Sequence, residues 1–307
     1  MLPHTTFRID HHPADVALTD WKRLARRRQA AWRIAHGHPI GSHPHGEPPP
    51  PNAALVGNRL DLTYARVTGA NFLTPAVLAA VHDRLAQPEA HELIDEPRLW
   101  ADLLSSMPLC FNLFGDLAAD PATARDAVDR WFPGTPPGPI AVRFEHSPGR
   151  CDPAFLGNKS AFDVAIEVAT SESSRAVIGV ETKYHEHAAL QPPPKPSALA
   201  RYESVVAEAG VFVDDWRVHV LGTDLQQIWL DHLLLLSMLQ HPSGRWKSGR
   251  FVLVYPAENP SITSVAARYR AVLRDGATFD ACTLESLLDT QGALSPATVA
   301  LLRGRYL

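Results

Sequence analysis

Two carboxylates and one lysine near the middle of the chain have the residue types of a divalent-cation site. Asp163 lies in the segment AFDVAIEVAT (161–170), and Glu181 and Lys183 lie in AVIGVETKYHE (176–186). Two carboxylates that lie close together repel each other unless a cation lies between them. Mg²⁺ takes oxygen ligands, keeps several waters and is often bound by one or two carboxylates together with a substrate phosphate. Lys183 could then orient a water molecule or stabilise charge that develops on a phosphate.

A β-hairpin would bring these residues together. Both segments are apolar and rich in β-branched residues, and the polar stretch SESSR (171–175) joins them, which is typical of a hairpin. A turn centred near Glu172 places Asp163 opposite Glu181, at a Cβ separation of about 4.5–5.5 Å. Side chains alternate along a strand, and this predicts an apolar reverse face on the first strand. That face is formed by Phe162, Val164, Ile166 and Val168.

Asp163 followed by Glu181-Thr182-Lys183 resembles the D…ExK signature of the PD-(D/E)XK nuclease superfamily. Further segments resemble one branch of restriction-endonuclease-like bacterial proteins, and the resemblance covers most of the chain beyond Gly57. These segments are SSMPLCFNLFG (105–115), RFEH (143–146), AFDV (161–164), GVETKYHE (179–186) and FVLVYPAENP (251–260). The resemblance implies a mixed central sheet flanked by helices, with an N-terminal helical extension. It also implies Mg²⁺, with Mn²⁺ as a substitute, held by Asp163, Glu181 and the carbonyl of Thr182, and a catalytic role for Lys183.

Other acidic residues are candidates for the same site. Glu145 lies on the predicted strand IAVRFEH (140–146) and is either a third acid of the site or an edge-strand charge bonded to Arg143. Glu167 and Glu186 are secondary candidates. The whole motif also fits a different interpretation, a solvent-facing hairpin whose charges form salt bridges.

Basic residues near the start of the chain and in one loop are candidates for nucleic-acid contacts. A helix is predicted over residues 21–35, with Arg26, Arg27 and Arg28 on it, and residues 147–160 form a loop that contains Arg150 and Lys159. Cationic side chains gain affinity for nucleic acid by releasing counterions from phosphates. The alternative is an ordinary amphipathic helix whose arginines pair with acidic residues of the same chain.

Composition limits the function classes. The 307 residues carry a formal net charge of −4, so any phosphate-binding surface has to be local. Three widely spaced cysteines argue against a disulfide scaffold and fit a reducing cytoplasm. The apolar run at residues 228–239 is too short to span a membrane and predicts a core helix.

The chain divides into three predicted segments. Residues 1–56 contain the basic helix and a flexible Pro/His-rich connector at 36–52, residues 57–139 are mainly helical, and residues 140–307 form the nuclease-like core. A short strand is predicted near residues 60–64 and a central strand at 248–256. Helices are predicted at 75–86, 97–107, 121–131, 197–210, 223–240 and 261–274, and the remainder is predicted to be helical.

The leading functional hypothesis is a metal-dependent nuclease that hydrolyses phosphodiester bonds in DNA, as an endonuclease of a restriction, defence or repair type. RNA as substrate, exonuclease action and the oligomeric state, including a homodimer, stay open at this point. Two hypotheses from other classes compete with it. The first is a non-catalytic nucleic-acid-binding or scaffold module on the same fold, and the second is a hydrolase of small phosphate compounds.

Overall fold

A computed structural model describes residues 19–45 and 47–307. The strands are β1 (Ile40–His43), β2 (Ala54–Leu60), β3 (Ile140–His146), β4 (Phe162–Ala169), β5 (Arg175–Thr182), β6 (Trp246–Tyr255) and β7 (Phe279–Thr283). The helices before the large sheet are α1 (Asp20–Ala35), α2 (Leu62–Thr68), α3 (Pro75–Ala86), α4 (Glu96–Ala101), α5 (Ser106–Ala119) and α6 (Pro121–Trp131). The later helices are α7 (Pro196–Ala209), α8 (Trp216–Val220), α9 (Gln226–Leu239), α10 (Pro260–Ala271), α11 (Leu284–Asp289) and α12 (Pro296–Tyr306).

Five strands form one mixed sheet in the order β3-β4-β5-β6-β7. The pairs β3–β4 and β4–β5 are antiparallel, whereas β5–β6 and β6–β7 are parallel. Parallel neighbours need long crossover connections, and helices α7 to α9 and then α10 supply them. The predicted strand at 248–256 corresponds to β6, which lies between β5 and β7 as its unbroken apolar sequence requires.

Each face of the sheet carries its own hydrophobic core. One core joins α1 to α6, α11 and α12 to Val164, Ile166 and Val180 on the sheet. The other joins α7 to α10 to Val177 and Leu253 on the opposite face. The first core contains residues from all three segments predicted from the sequence. The division of the chain at residues 56 and 139 stays a prediction.

The predicted hairpin is confirmed, with one correction. Residue pairs from Val164–Val180 to Ala169–Arg175 put the centre of the turn at position 172. Phe162, however, does not share a face with Val164, because its ring packs in the α9-side core and covers Gly179. A Cβ atom on Gly179 would lie 2.4 Å from the Phe162 ring, so the glycine makes room for that ring.

Helices with local capping signals were predicted correctly, whereas weakly patterned segments were not. Helices α3 and α6 have the predicted bounds, and Thr74 caps α3 by accepting from the amide of Val77. The predicted strand at 60–64 is wrong, since strand β2 ends at Leu60 and helix α2 follows. The predicted connector at 36–52 contains β1, which pairs with β2, and the predicted helical C-terminal part contains β7.

Helix α1 is built into the first core. Trp21, Ala25 and Trp32 are buried there, and the helix packs against β2 and α12. Thr19 caps it by accepting from the backbone amide of Lys22. Among the helices of the described residues, none combines the length and apolarity required to cross a membrane.

Candidate active site

The β4–β5 ladder aligns two of the predicted acids. Val164 pairs with Val180, so the neighbouring residues Asp163 and Glu181 lie opposite each other at the end of the hairpin. Both residues belong to their strands, since β4 begins one residue before Asp163 and β5 ends one residue after Glu181. The distance between the two carboxylates is therefore set by the sheet, and not by a loop.

The β3–β4 ladder brings Glu145 into the same row. Phe144 pairs with Val164, which places Glu145 opposite Asp163. Glu145, Asp163 and Glu181 thus stand side by side on three adjacent strands. The alternative in which Glu145 is bonded to Arg143 does not occur, because the Arg143 guanidinium lies 3.8 Å from the carboxylate of Glu167 instead.

Backbone strain accompanies the position of Glu145. Its φ angle is +46°, an uncommon value for a residue other than glycine. Two arginines hold this conformation, since Arg84 and Arg150 donate to the Glu145 carbonyl at 3.2 and 2.8 Å. Arg84 also donates to the carbonyl of Phe144 at 2.8 Å. The Glu145 carboxylate itself accepts no hydrogen bond from the described residues.

Asp163 is held by one of its two carboxylate oxygens. Its Oδ2 accepts from the amide of Thr182 at 2.7 Å and from the Thr182 hydroxyl at 2.6 Å. The same hydroxyl lies 3.2 Å from the carbonyl oxygen of Ser106 at the start of α5. Within residues 19–45 and 47–307, no donor bonds to Oδ1 of Asp163.

Glu181 is held in the same one-sided way. Its Oε1 accepts from the Lys183 ammonium at 2.7 Å and from the side-chain Nε2 of Gln227 at 3.2 Å. Its Oε2 has no hydrogen-bond donor in the described part of the chain. Lys183, the residue after the end of β5, therefore forms a direct ion pair with Glu181.

The crowding of acids changes their proton affinities. Burial, followed by repulsion from Glu181 and Glu145, raises the pKa of Asp163 well above its ordinary value. Burial and the charge of Glu181 raise the pKa of Glu145 to about 7, although nearby arginines oppose the shift. Burial acts to lower the pKa of Lys183, but the charges of Glu181 and Glu186 outweigh it, so that this pKa lies above its usual value.

This donor set fits a hard divalent cation. Among the described residues, Asp163 Oδ1 and Glu181 Oε2 accept no hydrogen bond, and a cation between them would relieve the repulsion that raises the pKa values of Asp163 and Glu145. In the described part of the chain, no three His, Cys, Asp or Glu side chains form a ready-made metal-ligand group. Mg²⁺ tolerates such a site, because water and substrate phosphate commonly complete its coordination shell.

Helix α9 contributes two polar residues that the sequence interpretation did not assign to the site. Gln227 contacts Glu181, and Asp231 follows one helical turn later. Asp231 is only 7% exposed, and its Oδ2 is buried without a hydrogen-bond partner in the described structure. Burial and the charge of Glu181 raise the pKa of this residue. The available signal was two polar positions at i and i+4 in a mainly apolar helix.

The two secondary acids have structural contacts. Glu186 accepts from the amides of Ser106 and Tyr184 at 3.2 and 2.7 Å, and Arg98 donates to it at 3.3 Å. Burial acts to raise the pKa of Glu186, yet the charges of His185, Arg98 and Lys183 hold it below its ordinary value. Glu167 is buried and accepts from the Trp246 indole at 2.9 Å.

Two of the predicted nucleic-acid contacts lie inside the protein. Arg26 is 2% exposed and donates to Asn58 at 3.2 Å. Arg150 is 9% exposed and bonds to Glu89 as well as to the Glu145 carbonyl. The prediction that these two arginines contact phosphate is therefore not supported, because both side chains are buried and donate to oxygen atoms of the protein itself.

The remaining basic candidates lie nearer to solvent. Arg27 and Lys159 are exposed. Arg28 is half-buried and donates to Glu258 at 3.1 Å and to the Tyr306 carbonyl at 3.2 Å. The structure thus separates the five predicted residues into two exposed side chains, one half-buried side chain and two buried ones.

The comparisons with known proteins agree with this geometry. A model of the PD-(D/E)XK nuclease superfamily matches residues 14–307, which is nearly the whole chain. Together with the five-stranded mixed sheet, the match confirms the predicted restriction-endonuclease-like fold. No curated protein and no solved structure matches the chain.

Proposed function

The chain belongs to the PD-(D/E)XK nuclease superfamily, and we propose that it is a Mg²⁺-dependent endonuclease that hydrolyses phosphodiester bonds in DNA. The observation that carries this proposal is the row of Glu145, Asp163 and Glu181 on three adjacent strands, with Lys183 at 2.7 Å from Glu181. A chance arrangement of surface charges would not place three mutually repelling carboxylates in one partly buried row.

Asp163 and Glu181 are the proposed metal ligands, through the two oxygens that accept no hydrogen bond, and the carbonyl of Thr182 is a third. A divalent cation held by these residues would polarise a phosphoryl oxygen and would make a bound water more acidic. The Thr182 amide and hydroxyl hold Asp163 from the opposite side, so the ligand oxygen keeps its direction.

Lys183 is the proposed electrostatic catalyst. Its raised pKa keeps the ammonium charged at neutral pH, and the ion pair with Glu181 holds it beside the proposed ligands. A positive charge at this point stabilises the charge that develops on the phosphate in the transition state. Glu145, which the β3–β4 register places opposite Asp163, is the third acid of the proposed site.

Local positive charge has to admit the substrate, because the chain as a whole is acidic. Lys159 lies in the loop that precedes β4, and Arg27 lies on the exposed face of α1. We propose these two residues as phosphate contacts. Arg26 and Arg150 are excluded from that proposal, since their side chains are buried and hydrogen-bonded.

Digestion of circular, linear double-stranded and single-stranded DNA, and of RNA, with Mg²⁺ or Mn²⁺ tests the proposal. We expect wild-type protein to cut circular DNA in the presence of metal and not in EDTA. Asp163→Asn and Lys183→Ala should lose cleavage by at least about a hundredfold while keeping their fold. Glu172→Gln, in the exposed hairpin turn, is the matched control and should retain full activity.

The same panel separates the competing functions. Metal-independent DNA binding without cleavage by wild-type protein would favour the non-catalytic module. Equal cleavage by wild-type protein, Asp163→Asn and Lys183→Ala would remove this site as the origin of the activity.

A further inference from the structure

The residue after Lys183 is fully enclosed by the protein. Tyr184 has no exposed surface, and its hydroxyl accepts from the Nε2 of Gln29 at 2.9 Å and lies 3.4 Å from the Tyr306 carbonyl. Gln29 belongs to α1 and Tyr306 to α12. Elements from opposite ends of the chain therefore meet at the side chain that adjoins the proposed catalytic lysine.

The backbone of Tyr184 is held as firmly as its side chain. Its carbonyl accepts from the Trp21 indole at 3.3 Å and from Asn259 at 2.9 Å. One residue earlier, the backbone amide of Lys183 donates to the Val254 carbonyl at 2.8 Å. The main chain at Lys183 is thus fixed between β6 and a set of contacts in which α1 takes part.

Gln29 connects the two helices at this point. It is fully buried, and its Nε2 donates to the Arg305 carbonyl at 2.8 Å in addition to the Tyr184 hydroxyl. The Tyr184 ring packs edge-on against both Trp21 and Tyr306, with centroid distances of 6.0 and 5.2 Å. A buried amide with two such bonds is costly to replace, because its partners would be left unsatisfied.

We propose that Gln29 and Tyr184 are positioning residues for Lys183, and that α1 is part of the machinery that holds the reaction geometry. This inference rests on the proposed function, since it assigns to α1 the task of keeping the Lys183 ammonium beside Glu181. The Lys183 ammonium is fixed at one end by its ion pair with Glu181 and at the other by the backbone from which its flexible side chain starts. A displacement of about 1 Å at a reacting group can lower the rate about a hundredfold.

Two conservative substitutions and their combination test the inference in the full chain. Tyr184→Phe removes only the hydroxyl, and Gln29→Met keeps the approximate volume but removes the amide. Each variant should lower kcat on DNA about tenfold or more while KM stays within about twofold of wild type. The double variant should be no slower than the slower single variant, because both changes break one connection.

Arg23→Gln is the matched control on the same helix. Arg23 is exposed, and within the described part of the chain it forms an ion pair with Asp20 in the first turn of α1. We expect its kcat and KM to equal those of wild type. Thermal unfolding of every variant, with rates expressed per folded chain, separates lost positioning from lost protein.

The possible failures can be told apart. Unchanged kcat in folded Tyr184→Phe and Gln29→Met, beside an inactive Lys183→Ala, would overturn this inference and leave the proposed function standing. A lower melting temperature with unchanged kcat would likewise assign these residues a structural role only. Full activity in Lys183→Ala would overturn the proposed function and the inference together.

Discussion

Replacement of Glu145 by glutamine should stabilise the metal-free protein at alkaline pH. The unfolded chain releases the Glu145 proton near its ordinary pKa of 4.5, whereas the folded protein keeps that proton up to about pH 7. Between these values the folded state binds more protons than the unfolded state, so stability falls as pH rises. Glutamine cannot ionise and escapes that loss.

The magnitude follows from the two pKa values. Each pH unit between 4.5 and 7 corresponds to about 1.4 kcal/mol, which gives an upper limit of about 3 kcal/mol above pH 7. Asp163 titrates together with Glu145, so the two residues share this energy. Glu145→Gln should therefore match wild type near pH 4 and exceed its unfolding free energy by up to about 3 kcal/mol at pH 8.

Urea unfolding in EDTA across pH 4 to 8 measures the effect. Mg²⁺ should reduce the difference between the two proteins at pH 8, because a bound cation offsets the charge that glutamine removes. Glu172→Gln, in the exposed turn between β4 and β5, controls for the loss of one negative charge. A stability difference between Glu145→Gln and wild type that stays constant from pH 4 to 8 would refute the argument.

Three further predictions follow from the site and its surroundings. Mg²⁺ at about a hundredfold above its Kd should stabilise wild-type protein by about 3 kcal/mol in thermal or urea unfolding, and Asp163→Asn should lose that stabilisation. Equal stabilisation of both proteins would contradict the assignment of Asp163 as a metal ligand. Arg26→Ala should cost about 2 kcal/mol or more of stability without changing the salt dependence of DNA binding. Lys159→Ala should leave stability unchanged and reduce the slope of log affinity against log salt by about 1. The reverse pattern in binding titrations would restore Arg26 as a phosphate contact. Gly179→Ala should destabilise the fold by about 1–3 kcal/mol in urea unfolding, because its new Cβ would meet the Phe162 ring at 2.4 Å; wild-type stability would mean that the ring can move aside.

Elements with a strong local pattern could be predicted from the sequence. The β4–β5 hairpin follows from two β-branched runs around a polar turn, and its register follows from the turn position alone. Helix α3 follows from Thr74 as cap and Pro75 in the first turn. Strands β1 and β7 were missed, because both are short. Strand β1 pairs with β2 across a proline-rich connection, and β7 pairs with β6 across a crossover.

Residue type alone could not separate functional from structural charges. Arg26 and Arg27 are adjacent in sequence, yet the first is buried against Asn58 and the second is exposed. A helix turns by about 100° per residue, so adjacent residues of α1 point in different directions. Which of them is buried depends on the elements that pack against the helix. The partners of α1 are β2 and α12, and the sequence of α1 contains no information about them.

The sequence by itself determined the acid–acid–lysine set and its hairpin, because strand alternation and turn position act over a few neighbouring residues. Only the tertiary structure decided that Glu145 completes the row, that Gln227 and Asp231 face it from α9, and that Tyr184 is held by α1 and α12. These contacts join elements far apart along the chain, and the packing of two cores on opposite faces of one sheet brings them together.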